Sequence, residues 1–395
     1  MKKKLCLFLV VFIIFSNPFF YNGYYAYAES AKSEFEIELE ENVEQRLDDL
    51  DFSELEQIYQ NVAGDNAIFK NGSFYSKVKD LISGNLNIDA NSFTSYLGSL
   101  FLDDILSFLP SICLIIAISV LYSMLSGLNS GKNKGMGDVI HFVCYGSVVI
   151  IVVTTLFGVI NLTTGAIGSL KTQMNAVFPV LLTLLAALGG TTSVSVYQPA
   201  MAVLSSTVVN VFTGILLPIF TFKLVFTILS NLTSGIKFNK FAEFFGSVFK
   251  WIIGIILTIF TAFVSIQGLM AGGVDGISIR TAKYTIKSSV PLIGGFISDG
   301  MGLILISSSL IKNAVGVGGL ILLFCTVFMP IIKIIVFSLL MKLASAILEP
   351  IADDRITSFV NQMSKSISLL ITLLLGVAFM YFIIIGLVMC SANLF

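Results

Sequence analysis

The sequence has little of what enzymes use for acid-base or metal chemistry. Its only histidine is His141, so neither an HExxH zinc site nor a convincing Ser-His-Asp triad can be assembled. Its five cysteines form neither a CxxC metal motif nor the spaced pattern of a disulfide framework. We therefore expect no enzyme activity, no metal site and no cofactor.

Nucleotide-binding motifs are also missing. Gly131-Lys132 is followed by Asn133, and the upstream glycine spacing does not fit a Walker A sequence. The glycine clusters at 272–276 and 316–319 lack the strand-to-helix context of a nucleotide fingerprint, so we interpret them as turns or tight helix contacts. No cluster of Lys and Arg interleaved with aromatic residues indicates a nucleic-acid partner.

Charged residues are scarce, and apolar residues are in excess. Only 12% of the chain is charged while 56% is hydrophobic, whereas a soluble domain rarely exceeds one half. Apolar runs of about 20 residues, the length that crosses a hydrocarbon core roughly 30 Å thick, recur between Ile105 and Phe395. The runs are continuous rather than alternating, which favours helices over barrel strands. The predicted fold is an all-α, polytopic membrane helical bundle.

The first 28 residues resemble a secretory signal peptide. Three lysines precede the apolar run from Leu5 to Phe15, and Ala26-Tyr27-Ala28 supplies a small-x-small cleavage pattern. The alternative is an uncleaved first helix. Both interpretations place the segment that follows outside the cytoplasm.

Residues 29–104 are predicted to form a small extracytoplasmic helical segment, here called the head. From Glu29 to Gln60 it carries twelve acidic and two basic residues. Leucine and valine recur at helical spacing opposite the acids, which indicates amphipathic helices with the apolar stripe Leu39, Val43, Leu47 and Leu50. Because the head is too small for a large core, we expect this stripe to bind a partner or the membrane face. The alternative is a partly disordered acidic linker.

Residues 105–395 are predicted to form the membrane domain. The short basic loop with Lys132 and Lys134 is assigned to the cytoplasm by the positive-inside rule, and Lys237, Lys240 and Lys250 assign a later loop to the same side. The number of crossings stays open between residues 161 and 237 and between residues 290 and 348, where prolines and glycines interrupt the apolar runs.

Two parts of the membrane domain, residues 197–270 and 309–390, resemble each other weakly. Leu217-Pro218-Ile219-Phe220 with Lys223 downstream resembles Met329-Pro330-Ile331-Ile332 with Lys333 downstream. We expect both prolines to break or kink long helices. Internal repeats of this kind are typical of transporter-like and channel-like folds.

Charged residues inside apolar runs are the candidate functional residues. Lys223, Lys333 and Asp299 are predicted to line a polar path through the membrane. The alternatives are that the lysines reach the interface by snorkelling and that Asp299 lies in a glycine-rich loop at the interface. A second basic group shares one helical face and is expected to contact anionic headgroups or an acidic partner: Arg280, Lys283 and Lys287.

The stretch from Gly272 to Lys283, the sequence Val290-Pro291-Leu292-Ile293-Gly294-Gly295 and the sequence Lys312-Asn313-Ala314-Val315-Gly316 resemble the stage III sporulation protein AE family of endospore-forming bacteria. The resemblance covers nearly the whole chain. It implies a mother-cell membrane protein around the forespore, acting with a separate secretion-type ATPase and ring-forming proteins of the same operon and with stage II sporulation protein Q. It offers no catalytic motif.

Three functions follow from these observations. The first is a platform or export-gate-like subunit of a secretion or channel complex that sporulation requires. The second is a stand-alone secondary transporter, motivated by the repeat and by the charged residues in apolar runs. The third is a membrane hydrolase using Ser309 and Lys312, which rests on a four-residue pattern expected by chance in a chain of this length.

Overall fold

The computed structural model describes residues 34–65, 72–84, 90–128, 134–232, 238–289 and 294–391. Over these ranges the regular secondary structure is helical and no strand is present. The chain divides into two compact units, Met1–Asn42 and Val43–Phe395. In the first unit the described part is helical, with Asn42 Nδ2 donating a hydrogen bond of 3.2 Å to the carbonyl oxygen of Glu38.

In the part of the head that the structure describes there are three short helices, α1 (Glu34–Asp48), α2 (Ser53–Asp65) and α3 (Phe74–Ile82). Ser73 caps α3, since its hydroxyl accepts from the amide of Ser76 and the Ser76 hydroxyl accepts from the amide of Ser73. The head thus forms the amphipathic helices that its stripe predicts.

The rest of the chain forms long helices. They are α4 (Ala90–Leu128), α5 (Lys134–Ala187), α6 (Thr191–Val211), α7 (Leu217–Leu232), α8 (Asn239–Ser289), α9 (Gly294–Leu348) and α10 (Asp354–Cys390). Among the described residues, six stretches are long and apolar enough to cross a membrane: Gly98–Gly127, Gly137–Ala187, Val209–Leu232, Asn239–Gln267, Gly302–Leu348 and Asp354–Cys390. The prediction of an all-α polytopic membrane bundle is confirmed.

The structure limits the number of membrane crossings in the two regions where the sequence left that number open. Among the described residues between α5 and residue 237, Val209–Leu232 is the one candidate span, because α6 is not among the candidates. From Gly294 to Leu348 the chain is one helix, with Pro330 inside it. The helix therefore does not break at this proline, since a helix can lose one backbone hydrogen bond and continue where neighbouring helices support it, and a kink at Pro330 stays a prediction.

Pro218 behaves differently. A π-helical turn at Phe212–Leu216 separates α6 from α7, and the proline is the second residue of α7. Such turns insert an extra residue into the helical ladder and often mark functional positions. In both proposed repeat units a helix is followed closely in sequence by another long helix, α7 by α8 and α9 by α10, although α8 is longer than α7 whereas α10 is shorter than α9.

The centre of the bundle is the α9–α10 hairpin. Ser338 Oγ donates to the carbonyl of Ser364 at 3.3 Å, and Ser364 Oγ donates back to the carbonyl of Ser338 at 3.0 Å. Ser345 Oγ donates to the carbonyl of Thr357 at 3.4 Å. These contacts fix the register of the antiparallel pair, and small side chains allow the two backbones to approach closely.

The glycine cluster in α9 serves tight packing. A Cβ atom on Gly318 would lie 3.1 Å from Cε2 and Cζ of Phe74, and one on Gly319 would lie 3.0 Å from Cγ1 of Val177. Helix α3 of the head therefore packs against Gly318, and α5 packs against Gly319. We interpreted this cluster as either turns or tight helix contacts. The second interpretation is correct, and the first is wrong because the residues are helical.

Candidate functional site

Lys333 forms an ion pair with Asp104, with 3.8 Å between Nζ and Oδ1. The side chain of Asp104 is 10% exposed, whereas that of Lys333 is 43% exposed. One turn further along the same pair of helices, the rings of Phe108 and Phe337 have centroids 4.9 Å apart. The pair thus joins α4 to α9 at a defined register.

Lys223 has a different partner. Its ammonium group on α7 donates a hydrogen bond to Ser366 Oγ on α10, and Ser366 is buried. The side chain also lies over Gly246 of α8, where an added Cβ would be 2.9 Å from Lys223 Cε. The polar contact of Lys223 therefore lies where three helices meet.

The contacts of Lys333 and Lys223 lie at almost the same level of the bundle. In the register set by Ser338 and Ser364, Ser366 stands opposite position 336, which is three residues from Lys333. Three residues span about 4.5 Å along a helix. The polar contacts of both lysines therefore lie at one level of the bundle, about 15 residues before the end of α9. The α9 sequence on both sides of this level is apolar.

The other predicted site residues fall outside the described side chains. Asp299 lies in α9, and Arg280, Lys283 and Lys287 lie in α8, but the structure describes only their place in these helices. Their assignment to a polar path or a basic interfacial face stays a prediction.

A buried lysine that sequence reasoning treated only as part of a chance motif is Lys312. Its side chain is fully buried, and Nζ donates to the carbonyl oxygen of Ser391, just after the end of α10, at 2.5 Å. The hydroxyl groups of Ser391 and Tyr197 lie 2.9 Å apart at the same place. A cation at the carboxyl end of a helix satisfies the last carbonyl groups and the negative end of the helix dipole. The geometry gives Lys312 a structural role there.

The head packs along α9. Arg46 Nη1 donates to the buried Ser308 Oγ at 3.0 Å, and Phe74 contacts Gly318 ten residues further on, which is about 15 Å along the helix. Within the predicted stripe, Val43 and Leu47 are buried inside the chain, while Leu39 and Leu50 are half-buried. The chain itself therefore covers the centre of the stripe, and partner binding by the stripe stays a prediction.

Polar contacts fasten the head helices to one another. The amide of Phe74 donates to Glu56 Oε2 at 2.6 Å, and Lys79 forms an ion pair with Glu44. The hydroxyl of Tyr75 donates to Asp48 Oδ1 at 2.8 Å, and this hydrogen bond raises the pKa of Tyr75. Burial raises the pKa of the Tyr59 hydroxyl, whose ring contacts that of Phe74.

A groove of about 490 Å³ lies between α5 and α6. Its lining is largely apolar, with Met174, Phe178 and Leu182 from α5 and Met201 from α6, and it includes the amides Asn175 and Gln198. Among the residues that the structure describes, no group of three or more His, Cys, Asp or Glu side chains could hold a metal ion.

These features define a polytopic α-helical membrane protein with a helical head and charged contacts inside the bundle. The family model for stage III sporulation protein AE matches residues 73–392. The chain belongs to this family, which makes it a membrane protein associated with sporulation. It is 26% identical to Stage III sporulation protein AE of Bacillus subtilis (strain 168) over 318 residues, which cover 80% of this chain and 79% of that relative. No solved structure matches the chain.

Proposed function

We propose that the chain is a non-enzymatic platform or export-gate-like subunit of a secretion or channel complex that connects the mother cell to the forespore. It resides in the mother-cell membrane around the forespore. A separate ATPase and ring-forming proteins are its proposed partners, as the family resemblance implies.

The observation that carries this proposal is the length over which α9 exposes apolar side chains. Ile304, Leu310 and Phe324 are exposed on one part of the helix, and Leu339, Leu343 and Ile347 on the other. From Ile304 to Ile347 the helix rises about 64 Å, twice the roughly 30 Å of a hydrocarbon core. One bilayer cannot cover both parts, so another protein is needed to cover the remainder.

The head indicates which part needs the protein partner. The head is predicted to lie outside the cytoplasm, and it packs along α9 between Ser308 and Gly318. The part of α9 from Ile304 to Leu310 would then also lie outside the hydrocarbon core. Its apolar side chains are the proposed contact with neighbouring subunits.

Site-specific photo-crosslinking in sporulating cells tests the proposal. A photoreactive residue at Ile304 or Leu310 is expected to give protein adducts, whereas one at Leu114, an exposed position in the span of α4, is expected to give lipid adducts. The adducts at Ile304 and Leu310 should appear only during sporulation and should contain products of the same operon. Protein adducts that are equal at all three positions, or absent from all, would contradict the proposal.

The groove between α5 and α6, together with the lysine contacts inside candidate spans, favours a second candidate function, a stand-alone secondary transporter. This alternative predicts that the purified chain alone catalyses gradient-driven solute uptake into liposomes. Uptake without any partner would support it over the platform.

A further inference from the structure

Three lysines from three helices converge at the junction of α7, α8 and α10. Lys223 reaches across from α7 to donate to Ser366, and the residue before Ser366 is the exposed Lys365. Lys223 thereby brings its charge to the part of α10 that carries a second cation.

The third cation comes from α8. The Lys223 side chain lies on Gly246, and the exposed Lys250 follows four residues later on the same helical face. Because side chains on a helix lean toward its amino end, Lys250 is directed back toward Gly246 and Lys223. Lys250 and Lys365 both interact electrostatically with Lys223.

These three charges are not balanced by carboxylates in the described part of the chain. The ion pairs found there are Lys77 with Asp80, Lys79 with Glu44, Lys240 with Glu243 and Lys333 with Asp104. Like charges grouped without an anion are unfavourable within apolar spans, so the arrangement calls for an external anion.

The surroundings identify the kind of anion. Phe222, next to Lys223, is 53% exposed, and Trp251, next to Lys250, is 73% exposed. Trp251 begins an exposed apolar stripe that continues along α8 through Ile255 and Ile259. Aromatic and aliphatic side chains of this kind suit acyl chains and the headgroup region, and lysines suit phosphate.

We propose that Lys223, Lys250 and Lys365 form a binding site for the phosphate of an anionic lipid headgroup, with the lipid's acyl chains against the exposed stripe of α8. The lipid neutralises the cluster and holds α7, α8 and α10 together. The site is independent of the complex proposed above, so either can fail without the other.

Trp251 is the only tryptophan of the chain and therefore a built-in reporter beside the site. The full-length chain is reconstituted in phosphatidylcholine liposomes containing a small, fixed fraction of lipid with brominated acyl chains, either phosphatidylglycerol or phosphatidylcholine. Brominated phosphatidylglycerol is expected to quench Trp251 fluorescence more strongly than brominated phosphatidylcholine at the same fraction. Each lysine near an anionic lipid contributes about a fivefold change in binding, so Lys250→Gln or Lys365→Gln should reduce the preference and the double variant should abolish it.

Lys240→Gln is the matched control. Lys240 lies on the same helix ten residues earlier, is highly exposed and pairs with Glu243, so its loss changes net charge equally without touching the cluster. Lys250 and Lys365 are exposed, so their replacement should leave the circular dichroism spectrum and thermal midpoint unchanged.

Three results would overturn the proposal. One is equal quenching of the wild type by the two brominated lipids, and another is an equal loss of preference in Lys240→Gln, which would indicate diffuse charge. The third is removal of the preference by millimolar inorganic phosphate, which would assign the site to free phosphate instead of lipid.

Discussion

Helices α4 and α10 are both strongly apolar, yet α10 lies largely inside the bundle whereas α4 lies largely at its surface. In the most apolar 18-residue stretch of each span, 56% of the α10 residues are buried inside the chain, compared with 22% in α4. Helix α4 contacts α9 through Asp104 with Lys333 and Phe108 with Phe337, and it contacts α5 through Tyr122 with His141. Apolar composition therefore marks a helix for the membrane, but does not separate a helix at the centre of the fold from one that faces lipid or a partner.

The largest expected effect of a substitution lies in α10. Leu370 is fully buried, and Leu370→Ala should leave a cavity and lower the free energy of unfolding by about 2–3 kcal/mol. This is the low end for buried leucines because a span that loses its packing exposes its side chains to lipid or detergent rather than to water. Leu106→Ala in α4 removes a side chain that is 64% exposed and should change the free energy of unfolding by less than about 0.5 kcal/mol. Denaturant titration of both variants in the same detergent gives the comparison, and equal losses would show that α4 is packed as tightly as α10.

A smaller effect is expected where the head contacts α9. Gly318→Ala places a methyl group 3.1 Å from the ring of Phe74, and we expect it to be about 1–3 kcal/mol less stable than Gly254→Ala. Gly254 of α8 has no atom within 4 Å of an added Cβ, so alanine there gains helix propensity without a clash. Trypsin cleavage at Lys77 and Lys79 reports whether the head has loosened. Resistance unchanged from the wild type in Gly318→Ala would show that Phe74 moves without cost.

The smallest effect is expected at the ion pair that fastens α4. A double-mutant cycle with Asp104→Asn and Lys333→Met should give a coupling of about 1 kcal/mol, because Lys333 is partly exposed and solvent weakens the attraction. Asp103 is the neighbouring exposed carboxylate, and Asp103→Asn should show no coupling to Lys333. Thermal midpoints of the four variants provide the cycle. If Asp104 and Asp103 show the same coupling energy to Lys333, the ion pair does not stabilise the contact between α4 and α9.

The sequence predicts the helices well because hydrophobic periodicity and length are local properties. The stripe containing Val43 and Leu47 is an example, since both residues lie on the buried face of α1. What covers that face is not local, and the sequence could not show that the chain itself buries Leu47.

The candidate site was less predictable for the same reason. Lys333 was recognisable as a charge in an apolar run, but its partner Asp104 is 229 positions away in sequence and was assigned to the edge of the first span. Likewise, nothing near Lys312 in the sequence indicates that its side chain caps the end of α10 at Ser391. Distant pairing depends on which helices become neighbours, and single-sequence patterns do not contain that information.

The contact between Lys312 and Ser391 has a consequence for biogenesis. The two residues are separated by 79 positions, so the ribosome makes Lys312 well before the carbonyl that accepts its hydrogen bond. Until α10 is in place, α9 carries an ammonium group whose final acceptor does not yet exist, and a cation is not buried stably without a partner. Arrival of α10 supplies the acceptor and the central packing surface together. Insertion of the last helix is thus the step that commits the chain to its mature form, and a chain truncated before Ser391 would be a substrate for membrane quality-control proteases.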